Sequence, residues 1–291
     1  MALTNNRNLH NSKREKNDEF YTLMETIEKE LKYYKHLLKG KRIYCNCDDY
    51  EISNFVKYFK DNFKALGLVS LIATCYVPQG QGKCLRMDEN GSETYLLKGD
   101  GDFRSNECVE ILKQSDIVVT NPPFSLFREY ITQVDKYGLK FLIVSNGNSI
   151  TYKDVYQLLL QNKLWIGVSL WFRMCMFLVK GKLTPMNNVV WLTNLEHGIE
   201  QPFLPLTREY DPSYYPRYDN CDAINVDKVC NIPKDYDGIM GVPISFIGKH
   251  NKRQFDIVGV RKGDDGKDLR YQLNGKTIQP YFRFLIKRHY E

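Results

Sequence analysis

The chain has 291 residues, 43% of them hydrophobic and 26% charged, with a mean hydropathy of -0.46, which suits a globular protein with a sizeable core. No run of about 18 apolar residues occurs, and the first 16 residues are Asn-rich and basic without an apolar segment. Neither a membrane-spanning helix nor a secretory signal is therefore expected, and the cytoplasm is the expected compartment. The formal net charge of +6 is concentrated, because residues 245–291 hold 11 Lys and Arg against 5 Asp and Glu while the remaining 244 residues carry 30 against 30. Such an excess fits either a solvated surface or one that meets phosphates.

In chain order, residues 1–16 lack periodicity and read as a flexible N-terminus. Residues 26–38 read as an amphipathic helix with Ile27, Leu31, Tyr34 and Leu38 on one face, ending at Gly40. A strand over 42–47 follows, with Asp48 and Asp49 at its end. Next comes a helix over 51–66 carrying Phe55, Tyr58, Phe59 and Phe63 and closed by Gly67. The unbroken apolar run 68–75 predicts a strand covered on both faces.

The polar, Gly-rich segment 76–104 interrupts the rhythm, with a short hairpin around Gly91 and a turn at 99–103. The rhythm resumes with a helix over 106–113, a strand over 117–119, the loop Asn121-Pro122-Pro123-Phe124, an amphipathic stretch over 125–134 and a strand over 140–144. Strand-like runs at 164–169, 171–179 and 189–193 complete the series, the last two as a hairpin around Gly181. Alternating strands and helices ending in a hairpin predict an α/β fold with a right-handed doubly wound sheet and an antiparallel edge. After residue 195, six prolines between Pro202 and Pro243 exclude long helices, and short strands at 255–260 and 281–287 flank a charged turn at 263–266. This is a separate, strand-poor second domain that carries the basic excess.

Eight cysteines are scattered without a C-x-x-C pair and the five histidines lie far apart, so no metal site is expected and the thiols are read as reduced and mostly buried. The loop at 121–124 carries more chemistry. In open α/β sheets the ligand crevice lies at the carboxyl ends of the strands, which is where this loop falls. Its two prolines fix their φ angles and remove two N–H donors, leaving a stiff turn rich in acceptors. The Asn121 carboxamide oxygen and the Pro122 carbonyl are placed to accept the two protons of an exocyclic amine, and the Phe124 ring to stack on a base. A tight turn closing a buried strand is the alternative, and four residues alone leave both open.

Placed on such a sheet, Asn121-Pro122-Pro123-Phe124 resembles the catalytic motif of S-adenosylmethionine-dependent amino-methyltransferases, most often those acting on adenine N6. Asn17-Asp18-Glu19-Phe20-Tyr21-Thr22 is similar to the segment of that superfamily that lines the methionine end of the cofactor. Together with Tyr44-Cys45-Asn46-Cys47-Asp48-Asp49, Gly99-Asp100-Gly101-Asp102-Phe103-Arg104 and residues 121–130, these resemble the EcoRI-type adenine-specific DNA methyltransferases over residues 15–285.

The resemblance implies a Rossmann-like S-adenosylmethionine-binding and catalytic domain over 17–195 and a target-recognition, DNA-binding domain over 196–291, in the gamma order of motifs. It implies a site-specific enzyme that methylates the N6 amine of an adenine flipped from duplex DNA. It further implies a restriction–modification system whose cognate endonuclease acts on the same site; the enzyme itself is expected to be a monomer. Asn121, Pro122, Pro123 and Phe124 are then catalytic. Phe20, Tyr21, Thr22, Asn46, Asp48, Asp49, Asp100, Asp102 and Phe103 are expected at the cofactor, and Lys252, Arg253, Arg261, Lys262 and Asn274 at the DNA.

The chain departs from the family pattern in two places. The cofactor loop has no glycine, reading Cys45-Asn46-Cys47-Asp48-Asp49, and Cys75-Tyr76 stands where an acidic residue usually binds the ribose. For Asp49 a helix cap competes with a cofactor role, for Asp100 and Asp102 a turn does, and for Phe20 and Tyr21 a hydrophobic staple does. Two rival functions remain: a related methyltransferase of RNA bases or protein glutamine, and a catalytically silent DNA-binding protein.

Overall fold

The computed structural model describes residues 20–262 and 269–289. The expected mobile segment 1–16, the Asn17-Asp18-Glu19 half of the upstream motif, the turn at 263–266 and the side chain of Lys262 lie outside the described residues. The chain divides into two compact units, one from the described parts of Met1–Ser149 with Leu164–Gly198, the other from Ile150–Lys163 with the described parts of Ile199–Glu291. The short segment 150–163 therefore belongs with the later residues.

The first unit is a mixed α/β fold around a ten-stranded sheet. Its elements are β1 (Tyr21–Thr22), α1 (Met24–Leu31), α2 (Lys35–Leu38), β2 (Arg42–Cys45), α3 (Asn54–Asp61), α4 (Phe63–Leu66), β3 (Ser70–Cys75), β4 (Lys83–Asp88), β5 (Gly91–Leu96), α5 (Asn106–Lys113), β6 (Ile117–Thr120), α6 (Phe127–Lys136) and β7 (Lys140–Asn146). In the second unit α7 (Lys153–Leu160) follows, and the chain then returns for β8 (Trp165–Ile166), β9 (Arg173–Val179) and β10 (Lys182–Thr193). The strand order is β1-β9-β10-β7-β6-β2-β3-β4-β5, with β8 also on β10. The four central strands, β7, β6, β2 and β3, run parallel, and both flanks are antiparallel.

Local chemistry accounts for where the elements differ from expectation. The helix expected over 26–38 breaks after Leu31 because Tyr34 turns inward, fully buried, and its hydroxyl donates to Glu30 Oε1 at 2.8 Å. The helix expected over 51–66 begins only at Asn54, where the Ser53 hydroxyl caps it by accepting the Phe55 N–H at 3.1 Å, and it is interrupted at Asn62. Gly67 closes α4 at φ 63, the left-handed conformation glycine adopts without strain. By contrast α5 spans the residues expected, capped by Ser105. The run at 164–169 contributes only the two-residue β8, and α7 was not expected.

One buried carboxylate fixes how α1 meets the sheet. Glu30 is fully buried and accepts the Val168 N–H at 2.8 Å and the Ser169 N–H at 2.6 Å in addition to the Tyr34 hydroxyl. Three donors are what allow an acid to remain there. Gly167 leaves the carboxylate its room, since a Cβ at that position would sit 2.3 Å from Glu30 Oε1 and 2.6 Å from the Cβ of the buried Trp191.

In the second unit, β11 (Ala223–Asn225), β12 (Ile239–Val242), β13 (Phe255–Lys262) and β16 (Phe282–Arg288) form a sheet in the order β11-β12-β16-β13. Between the last two in sequence, β14 (Tyr271–Leu273) and β15 (Lys276–Ile278) pair only with each other. The strands expected at 255–260 and 281–287 appear as β13 and β16, paired antiparallel with a register shift between Ile257 and Gly259. The unit is richer in strands than expected, because β11 and β12 are too short to leave a periodic signal. Among the described residues no helix is long and apolar enough to cross a membrane.

Glu30→Ala strands two N–H groups and a hydroxyl in the core. We expect the unfolding free energy to fall by about 3 kcal/mol, and Gly167→Ala to destabilise the chain by forcing Glu30 and Trp191 apart; urea denaturation of both variants measures this.

Candidate active site

Strands β2 and β6 are parallel neighbours, yet the chain continues to β3 on one side of the pair and to β7 on the other. The loops leaving their carboxyl ends, Asn46 to Asp49 and Asn121 to Phe124, thus bound a crevice at the point where the strand order reverses.

Asp48 holds the two loops together. It is 5% exposed, and its two carboxylate oxygens accept hydrogen bonds from Ser53 Oγ, at 2.6 Å, and from Thr120 Oγ1. Its backbone N–H donates to the Thr74 carbonyl at 3.0 Å. One residue thereby links the ends of β2, β3 and β6 to the cap of α3. Burial pushes its carboxyl from near 3.8 up to about 6, against the pull of the two hydroxyl donors. Beside it Asn46, 2% exposed, accepts the hydroxyl of the buried Tyr130 on α6 at 2.7 Å.

Asn121 is held from the far end of the sequence. Its Nδ2 donates to the Phe20 carbonyl. A carbonyl only accepts, so this contact sets which way the carboxamide faces. Asn121 Oδ1 is consequently buried with no hydrogen-bond partner among the described residues. Phe20 stacks on Phe124, centroids 5.9 Å apart and planes 14° apart, and meets Phe177 of β9 edge-on at 6.0 Å. Pairing of Tyr21 with Leu178 and Thr22 with Phe177 anchors this segment to the sheet. Pro122 is buried, and the Pro123 carbonyl accepts the Leu126 N–H at 3.1 Å, starting the 3-10 turn Phe124–Leu126 ahead of α6. Thr22 Oγ1 is also buried and unpartnered among the described residues, while Asn54 Nδ2 donates to the Thr22 carbonyl at 2.9 Å.

The turn at 99–103 lies against the carboxyl end of β3. Val77 N–H donates to the Asp100 carbonyl at 2.8 Å, and Gly101, at φ 81, approaches so closely that a Cβ there would lie 2.1 Å from the Cys75 carbonyl oxygen. Asp102 is engaged by Arg104, whose guanidinium reaches it at 2.6 and 2.9 Å and holds its carboxyl below the usual range; Arg104 also reaches Glu129 at 2.7 Å. Asp49 takes the Glu51 N–H at 3.0 Å and faces Lys83 at 3.5 Å, so it stabilises the turn before α3 while Ser53 does the capping. Asp100, half-buried, accepts the Asp102 N–H at 3.0 Å and forms no ion pair among the described residues. Phe103 is buried, edge-on to Tyr130 at 5.2 Å.

The residues singled out in the basic region are dispersed. Lys252 and Arg253 are exposed just before β13, and Arg253 pairs with the exposed Glu200. Arg261 stands opposite Arg283 in the β13–β16 ladder, and Asn274 forms the tip of the β14–β15 hairpin at φ 51. Ser53, Thr120, Tyr130 and Phe177 escaped the sequence reading of the site. Ser53 is legible as a helix cap ahead of the Phe55 ladder, whereas nothing local ties Phe177 to Phe20.

The folded value of Asp48 lies above its unfolded one, so the folded chain keeps a proton that the unfolded chain releases. Its stabilisation is complete below about pH 4 and is lost as pH rises through about 6, a change of about 3 kcal/mol. We expect Asp48→Asn to remove that component. The difference between variant and parent unfolding free energies, followed from pH 4 to pH 7, measures it.

A family profile described as "Adenine-specific methyltransferase EcoRI" matches residues 8–288. The chain is 48% identical to a protein of Escherichia coli named Type II methyltransferase M.EcoRI, covering 97% of this chain and 96% of that one. It is 36% identical to Type II methyltransferase M.MgeORF184P of Mycoplasma genitalium, over 85% and 84% of the two chains, and 35% identical to Type II methyltransferase M.MpnI of Mycoplasma pneumoniae, over 85% and 83%.

Proposed function

The chain belongs to the EcoRI family of adenine-specific methyltransferases, and from that premise we propose that it methylates the N6 amine of an adenine flipped out of duplex DNA, using S-adenosylmethionine, as the modification enzyme of a restriction–modification system. The observation that carries this reading is the buried Oδ1 of Asn121, without a partner among the described residues, at the reversal of the strand order, with its amide turned by the Phe20 carbonyl. A buried acceptor without a donor costs stability unless a ligand supplies one. An adenine amine is such a donor.

The lone pair of an aromatic exocyclic amine is delocalised into the ring, which makes it a poor nucleophile. Asn121 Oδ1 and the Pro122 carbonyl accept its two protons, drawing the lone pair back to nitrogen and stabilising the positive charge that develops there. Phe124 stacks on the flipped base and offers a π face to that charge. No strong base is needed, because the charged nitrogen loses its proton readily to water. When bound, S-adenosylmethionine supplies an electrophilic methyl group on a sulfonium.

The crevice suits that cofactor. Thr22 Oγ1 is a second buried, unpartnered polar atom, and Phe20 and Tyr21 flank it to form the methionine end of the pocket. Of the four acids expected here, Asp48 is bound by two hydroxyls, Asp49 faces Lys83 and Asp102 is chelated by Arg104. Asp100 remains. The turn that carries it is stapled to the end of β3, where the missing acid after Cys75 would stand, so we assign Asp100 to the ribose hydroxyls. Asn46 and Asp48 shape the floor, and Phe103 backs Tyr130 in the wall beside them.

In this reading the first unit is a doubly wound, Rossmann-like catalytic domain and the second recognises the target, with Lys252, Arg253, Arg261, Lys262 and Asn274 as its DNA contacts. The enzyme acts in the cytoplasm as a monomer, opposed by an endonuclease of the same specificity.

Asn121→Ala is expected to lower methyl transfer to duplex DNA by at least about 10²-fold while S-adenosylmethionine still binds by calorimetry. Unchanged turnover removes the role given to Asn121, and tritiated methyl label entering only RNA or protein removes DNA as the substrate. Asp100→Asn is expected to weaken cofactor binding by about 10-fold with little change in turnover at saturating cofactor, which titration calorimetry and steady-state kinetics separate.

A further inference from the structure

Among the described residues the β14–β15 ribbon pairs with no strand of either sheet. Its register pairs Tyr271 with Ile278, Gln272 with Thr277 and Leu273 with Lys276, and the turn Asn274-Gly275 has φ angles of 51° and 73°, the left-handed pair of a tight two-residue hairpin. A hairpin alone is marginal in water, so its root must hold it. Tyr271 is buried edge-on to Tyr218 at 5.9 Å, in a cluster with Ala223, Leu269 and Leu285 against which Ile278 packs. Beyond that root all six residues from 272 to 277 are exposed.

The exposed part is built of base-reading chemistry. Gln272 and Thr277 lie directly across from each other with amide–hydroxyl contacts of 3.1 and 3.2 Å, and Gln272 Nε2 also donates to Asp219 Oδ2 at 3.0 Å, which fixes the carboxamide before any partner arrives. Arg270 at the root and Lys276 near the tip form no ion pair among the described residues, whereas Arg217, Lys234 and Arg253 of the same unit are matched by Asp222, Glu209 and Glu200. Cations without an ion pair among the described residues, beside amides and a hydroxyl held in place by Asp219, complement a polyanion that also presents donors and acceptors. The size agrees. Three residues per strand extend about 10 Å, and a major groove about 12 Å wide and about 8.5 Å deep admits a two-stranded ribbon.

The geometry points to residues 271–278 as the element that enters the major groove of the substrate duplex. Gln272, Asn274 and Thr277 face base edges, and Arg270 and Lys276 face phosphates. This rests on the DNA methyltransferase reading and adds to it the part of the chain that chooses the sequence.

The test uses the full chain. Gln272→Ala/Lys276→Ala/Thr277→Ala removes the reading groups. Asn274→Gly removes one carboxamide while keeping the left-handed turn, so it remains informative if the triple variant is unstable. Modified adenines are mapped on genomic DNA methylated by each protein, and KM for an oligonucleotide bearing the parent's site is measured alongside cofactor affinity. We expect the triple variant to raise that KM about 10- to 100-fold and to methylate sites that differ from the parent's at one or two base pairs, and Asn274→Gly to relax the sequence at a single position, with cofactor affinity unchanged in both. An unchanged site and KM in either folded variant overturns the assignment. A parent protein that modifies no adenine in DNA overturns instead the reading on which it rests.

Discussion

The site depends on a carboxylate that is costly to bury. The strand order reverses at β2 and β6, but that reversal does not by itself hold the two loops at their ends in register. Asp48 does so by taking one hydroxyl from the cap of α3 and another from the last residue of β6. Thr120 immediately precedes Asn121, so the position of the 121–124 loop is referred through one hydrogen bond to the loop that follows β2. The raised pKa of Asp48 is the visible sign of the desolvation this arrangement tolerates.

The same bracket explains how the chain manages without the usual glycines after β2. Glycine lets backbone approach a ligand closely; here the space is occupied by the buried side chains of Asn46 and Asp48, tied to Tyr130, Ser53 and Thr120. The need for close backbone approach has moved to another place. Gly82 and Gly101 meet so tightly that a Cβ on either would overlap main-chain atoms, and their contact presses the 99–103 turn onto the end of β3. Side chains thus fill the space after β2, and the close backbone packing lies further along the chain, at Gly82 and Gly101.

Much of this was legible in the sequence, for a reason that can be located. The strands β2, β3, β6 and β7 are short and almost wholly buried, so they read as apolar runs, and α5 begins at a serine cap and matches its expected span. The 121–124 loop was legible because proline and asparagine act locally. Features that depend on distant partners were not. Whether Asp100 or Asp102 is committed is decided by Arg104 and by the packing of Gly101, and both acids look alike in a Gly-Asp-Gly-Asp string. Asn274 was singled out without its setting, the tip of a hairpin that the following glycine completes. Helix α7 was missed because its burial is set by a second unit assembled from two separated stretches of chain, and β11 and β12 because they are too short to leave a pattern.

The contact between Asn121 and the Phe20 carbonyl has a consequence for synthesis on the ribosome. Phe20 is made early, but the strand that seats its segment, β9, is made some hundred and fifty residues later, well after the loop it orients. Until β9 has emerged, the segment that turns the Asn121 carboxamide lacks its partner in the sheet. The candidate site is therefore completed late in the synthesis of its own unit, and a chain stopped before β9 holds the motif without the strand that seats the Phe20 segment.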